Sequence, residues 1–414
     1  MTESLVIIGA GHAAGQLIGS LVSGGYEGEI TLIGEEAYLP YQRPPLSKKY
    51  LQGELPRDRL FLKPEAFYAS SGVRQMLGRQ VTAVDTTRQS VTLDNGDSLA
   101  YDKLVFATGS RVRRLSVPGA DDDALMYLRS IADVDAISAK FEAGRHIAVI
   151  GGGYIGLEVA AVAASAGLKV TLIELENRLL SRVASPSLSA FYETVHRDAG
   201  VNILLGTGVQ GFESTADGLR IALSNDTHLD ADFAVAGIGV SAESALAEDA
   251  GIACDNGILV DGFCKTDVDS VFAIGDCTNH PNPILGKRLR LESVPNALAQ
   301  ARIAAAAIMD KSDQPYAEVP WFWSDQYDLK LQMVGLTEGF DETVMRGSMD
   351  ERKFACFYLK NGTLIAVDAV NSPREFMMSK AAIAGGARIP KEVLADPAET
   401  LKDAASLWPP VAAE

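Results

Sequence analysis

The chain has 414 residues, room for two to four domains at ~100–200 residues each, and 47% of them are hydrophobic, enough for sizeable cores. A net charge of -17 excludes general nucleic-acid binding and leaves only local basic patches for an acidic partner. The four cysteines, Cys254, Cys264, Cys277 and Cys356, form no C-x-x-C pair, which excludes a disulfide framework and zinc-site spacing; they read as reduced, buried thiols.

The first residues lack a basic segment leading into an apolar stretch and a small-residue cleavage site, so no signal peptide is read. No apolar run reaches the ~18 residues of a membrane span, and a soluble cytoplasmic protein is expected.

In chain order, residues 5–9 predict a buried parallel strand, followed by a helix to about Gly24 and a strand over 29–33. Residues 38–64 carry LPYQRPPLSKKY, whose three prolines rule out regular helix or central strand. Residues 73–106 alternate around Asp94-Asn95-Gly96 and read as an antiparallel excursion ending in the buried strand 103–107. A second βαβ unit spans about 146–174, with its own antiparallel insertion around 209–236. A strand at 271–275 and an Ala-rich helix over 296–309 follow. From Trp321 onward, strand patterns at 354–358 and 364–370 precede a mixed tail, which suggests an α+β domain.

The two βαβ units each open on a glycine loop. In the first, Gly9 permits the tight turn, Gly11 lets the backbone approach a pyrophosphate, and Ala14 takes the third place, which needs close helix–strand packing. The helix N-terminus offers free N–H groups and partial positive charge to phosphates. Glu35 ends the following strand, where a carboxylate accepts hydrogen bonds from ribose hydroxyls; His12 reads as a bystander. In the second, Gly151, Gly153 and Gly156 occupy the three places, and Glu174 lies 21 residues after Gly153. That carboxylate favours the 2′-hydroxyl of NADH and repels the 2′-phosphate of NADPH, with Arg178 and Arg182 as the nearby cations to watch. One glycine loop is a weak signal; two, each with strand, helix and acid, imply one cofactor passing electrons to another, as in a flavoprotein reductase. Gly275-Asp276, at the end of a buried strand, suits ribityl hydroxyls. Val294-Pro295-Asn296 opens the Ala-rich helix, whose dipole favours negative charge on a flavin ring.

The stretches RPPLSK (43–48), ATGS (107–110), YLRS (127–130), GGGYIGLE (151–158), AIGDC (273–277), RLESVPNALAQAR (290–302) and PWFWSDQYDLKLQ (320–332) resemble the FAD-dependent pyridine-nucleotide reductases. Within these, they resemble the putidaredoxin reductase group of NADH:ferredoxin reductases, and the resemblance covers essentially the whole chain. It implies an α/β fold with two Rossmann-like dinucleotide-binding domains, glutathione-reductase-like, plus the C-terminal α+β domain. Residues 1–112 and 242–318 would bind FAD, 113–241 NADH, and 319–414 would form the last domain. The FAD contacts it implies are Gly9, Gly11, Ala13, Ala14, Glu35, Arg43, Lys48, Val81, Ala107, Thr108, Gly109, Arg129, Gly275, Asp276, Val294 and Trp323. For NADH it implies Gly151, Gly153, Tyr154, Ile155, Gly156, Glu174, Arg182, Gly237, Ile238 and Gly239. Lys48, Glu158 and Glu292 would be catalytic, with Lys48 paired to Glu158 beside the reactive flavin nitrogen. The family often has Asp where this chain has Glu35, and the extra methylene shifts reach without changing the chemistry.

The implied reaction carries electrons from NADH through FAD to a small acidic [2Fe–2S] ferredoxin serving a monooxygenase or ring-hydroxylating dioxygenase. Lys287, Arg288, Arg290, Lys330, Arg374 and Lys380 are candidates for its docking face. Two rivals are a dithiol or peroxide reductase, which needs a redox cysteine that residues 36–70 lack, and a slowly reacting flavin-binding signalling protein.

Overall fold

The computed structural model describes residues 2–410; Met1 and residues 411–414, the outer ends of the first and last expected domains, lie outside the described residues. The chain separates into two compact units, one of residues 1–43, 56–111 and 240–318, the other of 44–55, 112–239 and 319–414.

The first unit is built on a parallel sheet in the order Val271–Ala273, Lys103–Phe106, Ser4–Ile8, Glu29–Gly34, Arg74–Leu77. Its inner strands are continuous apolar runs because both faces are covered. The helices His12–Ser23 and Val294–Ile308 pack together on one face, around Leu17, Ile18, Leu21, Ala301, Ala304 and Ala305. Alanine on the longer helix allows this close approach. On the other side Val6, Ile8, Val91, Leu93, Leu104 and Phe106 form a second core. Residues 73–106 are not one antiparallel excursion. Only Val81–Asp85, Ser90–Leu93 and Ser98–Ala100 pair that way, while Arg74–Leu77 joins the parallel sheet beside Glu29–Gly34. Sheet membership is set by the partner strand, which the local alternation does not reveal.

The second unit repeats the plan. Its parallel sheet runs Asn202–Leu204, Lys169–Ile173, His146–Ile150, Phe233–Ala236, Leu125–Tyr127, with the helix Tyr154–Ser165 following the central strand. The insertion is the antiparallel trio Val209–Thr215, Gly218–Leu223 and His228–Ala231, whose alternating burial marks one solvated face. Phe233–Ala236, expected within that insertion, is instead wholly buried in the parallel sheet. The same unit carries a five-stranded antiparallel sheet, Trp321–Gln326, Leu329–Gly335, Thr363–Val370, Lys353–Lys360, Glu342–Ser348, covered by the helix Pro373–Ala384. The prolines of residues 38–64 give short 3₁₀ turns at Pro44–Ser47 and Arg57–Leu60 rather than a regular element. Among the described residues no helix is long and apolar enough to cross a membrane.

Candidate functional site

In the first unit, Gly9 has φ +106°, and a Cβ there would lie 2.2 Å from the Ala107 carbonyl oxygen, so the ATGS segment requires glycine at the turn. Gly11 is the opposite case. It caps the helix His12–Ser23 without a side-chain hydrogen bond, and a Cβ there would meet nothing within 4 Å. Open space in front of a helix N-terminus without a side-chain cap fits the pyrophosphate of a dinucleotide. Gly275, φ +83°, stands where a Cβ would come 3.2 Å from Ala13 and 3.8 Å from Ala297. The first loop, the Asp276 turn and the start of the helix at Val294 are therefore one site. Gln300 secures it, its Oε1 accepting from Gly275 N at 2.7 Å. Ser110 donates to Asp276 at 3.0 Å.

Glu35 follows its strand with 61% of the side chain exposed, and Arg111 Nη2 stands 3.4 Å from its carboxylate. Arg43 is engaged by Glu36 at 2.7 Å and by the Tyr41 hydroxyl at 2.9 Å, and Tyr41 also donates to Glu36. Val81 is buried in the core beneath the sheet. Glu292 pairs with Arg290 at 2.5 Å. Lys48, Arg129 and Trp323 belong to the second unit. Arg129 N there joins the capping of the helix Ile131–Ser138 by Asp133, and Trp323 stacks at 5.7 Å on Trp321.

The second unit repeats the glycine turn and the uncapped helix start. Gly151 has φ +105° and a Cβ would lie 2.5 Å from Gly237 O; Gly153 is open and without a side-chain cap; at Gly156 a Cβ would stand 1.9 Å from Gly151 O. Glu174 accepts from Gly152 N at 2.5 Å and Glu176 N at 2.8 Å, which anchors the carboxylate at the loop. Arg182 Nη2 lies 3.9 Å from the Cβ position of Gly239, so the 237–239 turn and Arg182 meet. Arg178 is not a phosphate ligand in waiting. Its guanidinium donates to Ala184 O, Ser189 Oγ and Ser181 O. Ile155 and Leu175 are 44% and 70% exposed at this loop, an apolar surface suited to a nucleotide's rings.

Glu158 is the one charged residue of the helix Tyr154–Ser165, and it is only 2% exposed. A buried carboxylate requires partners, and it has three. Lys48 Nζ lies 2.8 Å and Ser47 Oγ 2.5 Å from Oε2, and Ser324 Oγ donates to Oε1 at 2.6 Å. Ser47 and Ser324 lie inside the RPPLSK and PWFWSDQ stretches but were not singled out from sequence; a lone charge in an apolar helix was the signal. Tyr154 packs edge-on against Phe322 at 5.2 Å.

The cysteines are free thiols, three of them buried, and burial pushes Cys254 and Cys356 up to about 11. Thiols so placed are poor nucleophiles. Among the described residues no cluster of His, Cys, Asp or Glu is placed to hold a metal ion.

Residues 3–301 match the pyridine nucleotide-disulphide oxidoreductase family and residues 321–405 the reductase C-terminal domain. The chain is 42% identical over 407 residues to putidaredoxin reductase of Pseudomonas putida, spanning 97% of this chain and 96% of that protein. It is 40% identical to the ferredoxin--NAD(+) reductase component of the anthranilate 1,2-dioxygenase system of Burkholderia cepacia, over 97% and 98% of the two chains. The crystal structure of the covalent putidaredoxin reductase–putidaredoxin complex superposes with a TM-score of 0.93 at 40% identity, covering 98% of this chain and 99% of that one.

Proposed function

The chain belongs to the pyridine nucleotide-disulphide oxidoreductase family, and from that membership we propose that it is an FAD-dependent NADH:ferredoxin reductase. The observation that carries this is the pair of open helix N-termini at Gly11 and Gly153, each behind a steric glycine turn and each followed by a strand-end glutamate. Bound FAD supplies the exchange between the two-electron chemistry of NADH and single-electron transfer.

The chain's own residues do the holding. Gly9, Gly11 and Ala14 with the helix His12–Ser23 take the FAD pyrophosphate, and Glu35 its ribose. Asp276 takes the ribityl chain, and the helix start at Val294 stabilises negative charge on the ring. Gly151, Gly153 and Gly156 take the NADH pyrophosphate, and Glu174 its ribose. Lys48, held by Glu158, supplies a positive charge to the reacting ring, and Glu292 acts with it. Ala13, Arg43, Val81, Ala107, Thr108, Gly109, Arg129, Gly275 and Trp323 complete the proposed FAD contacts, and Tyr154, Ile155, Arg182 and the 237–239 turn those of NADH. We keep the assignment of 1–112 and 242–318 to FAD, 113–241 to NADH and 319–414 to the C-terminal domain.

The acceptor in this proposal is an acidic [2Fe–2S] ferredoxin feeding an oxygenase, and the enzyme works in the cytoplasm. The exposed Lys287 supports a docking role, as does Arg288, exposed although its Nη2 donates to Val260 O and Asn279 O, with Lys330, Arg374 and Lys380 as further candidates. Arg290, only 12% exposed and paired with Glu292, is withdrawn from that face.

Anaerobic titration of the purified protein tests the reading. A flavin spectrum bleached stoichiometrically by NADH, and far less readily by NADPH, is expected. A colourless protein sinks the assignment, and equal bleaching by NADPH sinks the role of Glu174.

A further inference from the structure

The Lys48–Glu158 pair is the end of a longer buried chain. Beyond Glu158 stands Ser324, which donates to Oε1 at 2.6 Å. Gln326 Nε2 donates to Ser324 Oγ at 3.2 Å. Gln326 Oε1 faces His196 Nε2 at 2.9 Å, and His196 Nδ1 faces the Tyr327 hydroxyl at 3.1 Å. Ser324 and Gln326 are two apart on the strand Trp321–Gln326, so their side chains share a face. His196 comes from the last turn of the helix Pro186–Asp198. Ser324, Gln326 and His196 are all buried.

Such a chain has a direction. Lys48 offers only donors, and Ser47 gives its proton to the same oxygen. With Glu158 ionised, Ser324 must donate to it, and its lone pair accepts from the Gln326 amide nitrogen. The Gln326 carbonyl then accepts, so His196 carries its proton on Nε2. Nδ1 is left to accept from Tyr327. Each group has one role compatible with its neighbours. Burial lowers the His196 pKa, against the pull of its bond to Gln326, which keeps the ring neutral as the chain requires.

We propose that Ser324, Gln326 and His196 are positioning residues of the reductase, a one-way hydrogen-bond chain that fixes the Glu158 carboxylate in the orientation that holds Lys48. The proposal rests on the assignment of Lys48 and Glu158 to the hydride-transfer step. A polar network serving only to stabilise packing makes a different forecast, because its loss lowers stability without altering the reacting charge pair.

Two measurements test it. In ¹⁵N-histidine-labelled holoenzyme at pH 7, long-range proton–nitrogen correlation is expected to show His196 as the neutral Nε2–H tautomer, its signals assigned by their loss in His196→Gln. An Nδ1–H tautomer or an imidazolium overturns the proposal, whatever any variant does. In stopped-flow mixing with NADH, Ser324→Ala, which removes one hydrogen bond to a charged group, is expected to slow flavin reduction roughly 10- to 100-fold, and Gln326→Leu, which removes one to a neutral hydroxyl, several-fold. The NADH Kd should stay within twofold, and Ser324→Thr should restore the rate. A wild-type rate in Ser324→Ala while Glu158→Gln is slow overturns the chain and leaves the charge pair standing. A wild-type rate in Glu158→Gln itself overturns the charge pair instead.

Discussion

Replacing Gly153 by alanine separates nucleotide binding from folding. Its backbone, φ -82° and ψ -178°, is extended and open to any residue, and a Cβ there meets nothing within 4 Å. At Gly156, three residues on, a Cβ would lie 1.9 Å from the Gly151 carbonyl oxygen, and the helix would have to move off its strand. The cost to the fold at position 153 is therefore that of a poorer helix cap, below about 1 kcal/mol. The cost to NADH is larger. A methyl group fills the space through which loop amides reach the pyrophosphate, and one hydrogen bond to a charged group is worth ~1.5–3 kcal/mol. At ~1.4 kcal/mol per tenfold, the NADH Kd of Gly153→Ala should rise roughly 10- to 100-fold. The assay is the concentration dependence of flavin bleaching in stopped flow. The flavin spectrum serves as the internal control, since the Gly11 loop is untouched. Full flavin content and a melting temperature within a few degrees of wild type are expected. A Kd within twofold of wild type, or loss of FAD together with NADH, refutes the assignment of the two loops.

Other outcomes follow from particular side chains. Burial raises the Asp368 carboxyl to about 7, although the Tyr358 hydroxyl donating at 2.6 Å works against the shift. The unfolded value is ~3.9, so the folded state holds this proton more tightly. The resulting stability is complete below about pH 4 and is lost as pH rises through about 7. Asp368→Asn should flatten the fall in melting temperature between pH 5 and 8, and an unchanged slope counts against it. Glu174→Ala should raise activity with NADPH relative to NADH, because the repulsive carboxylate is gone while Arg182 remains beside the 237–239 turn; an unmoved ratio places the discrimination elsewhere. Arg288→Glu, at an exposed site, should raise the ferredoxin KM several-fold and leave ferricyanide turnover intact. Equal rates with both acceptors remove it from the docking face.

Local features are legible along the chain alone. A short apolar run, a glycine turn and a helix start occupy about ten residues, so both loops at Gly9 and Gly151 were legible, as were the acids some twenty residues on. The prolines of residues 38–64 excluded regular structure for an equally local reason, the missing N–H and fixed φ. The full-length resemblance extended this to residue lists but not to contacts.

Which segments become neighbours depends on the folded chain. Arg74–Leu77 is the edge strand beside Glu29–Gly34, and Phe233–Ala236 lies between His146–Ile150 and Leu125–Tyr127, partners absent from their own patterns. Gly275 became the meeting point of two helix starts more than 280 residues apart, which only the Ala13 and Ala297 contacts reveal. Arg178, a free cation in sequence, turned inward to carbonyls. Glu158 found Ser47 and Ser324 at separations of 111 and 166 residues. A hydrogen bond across such a distance leaves no periodicity for the chain to display. What the sequence does display is the need for it, a single carboxylate in an apolar helix that cannot be buried alone.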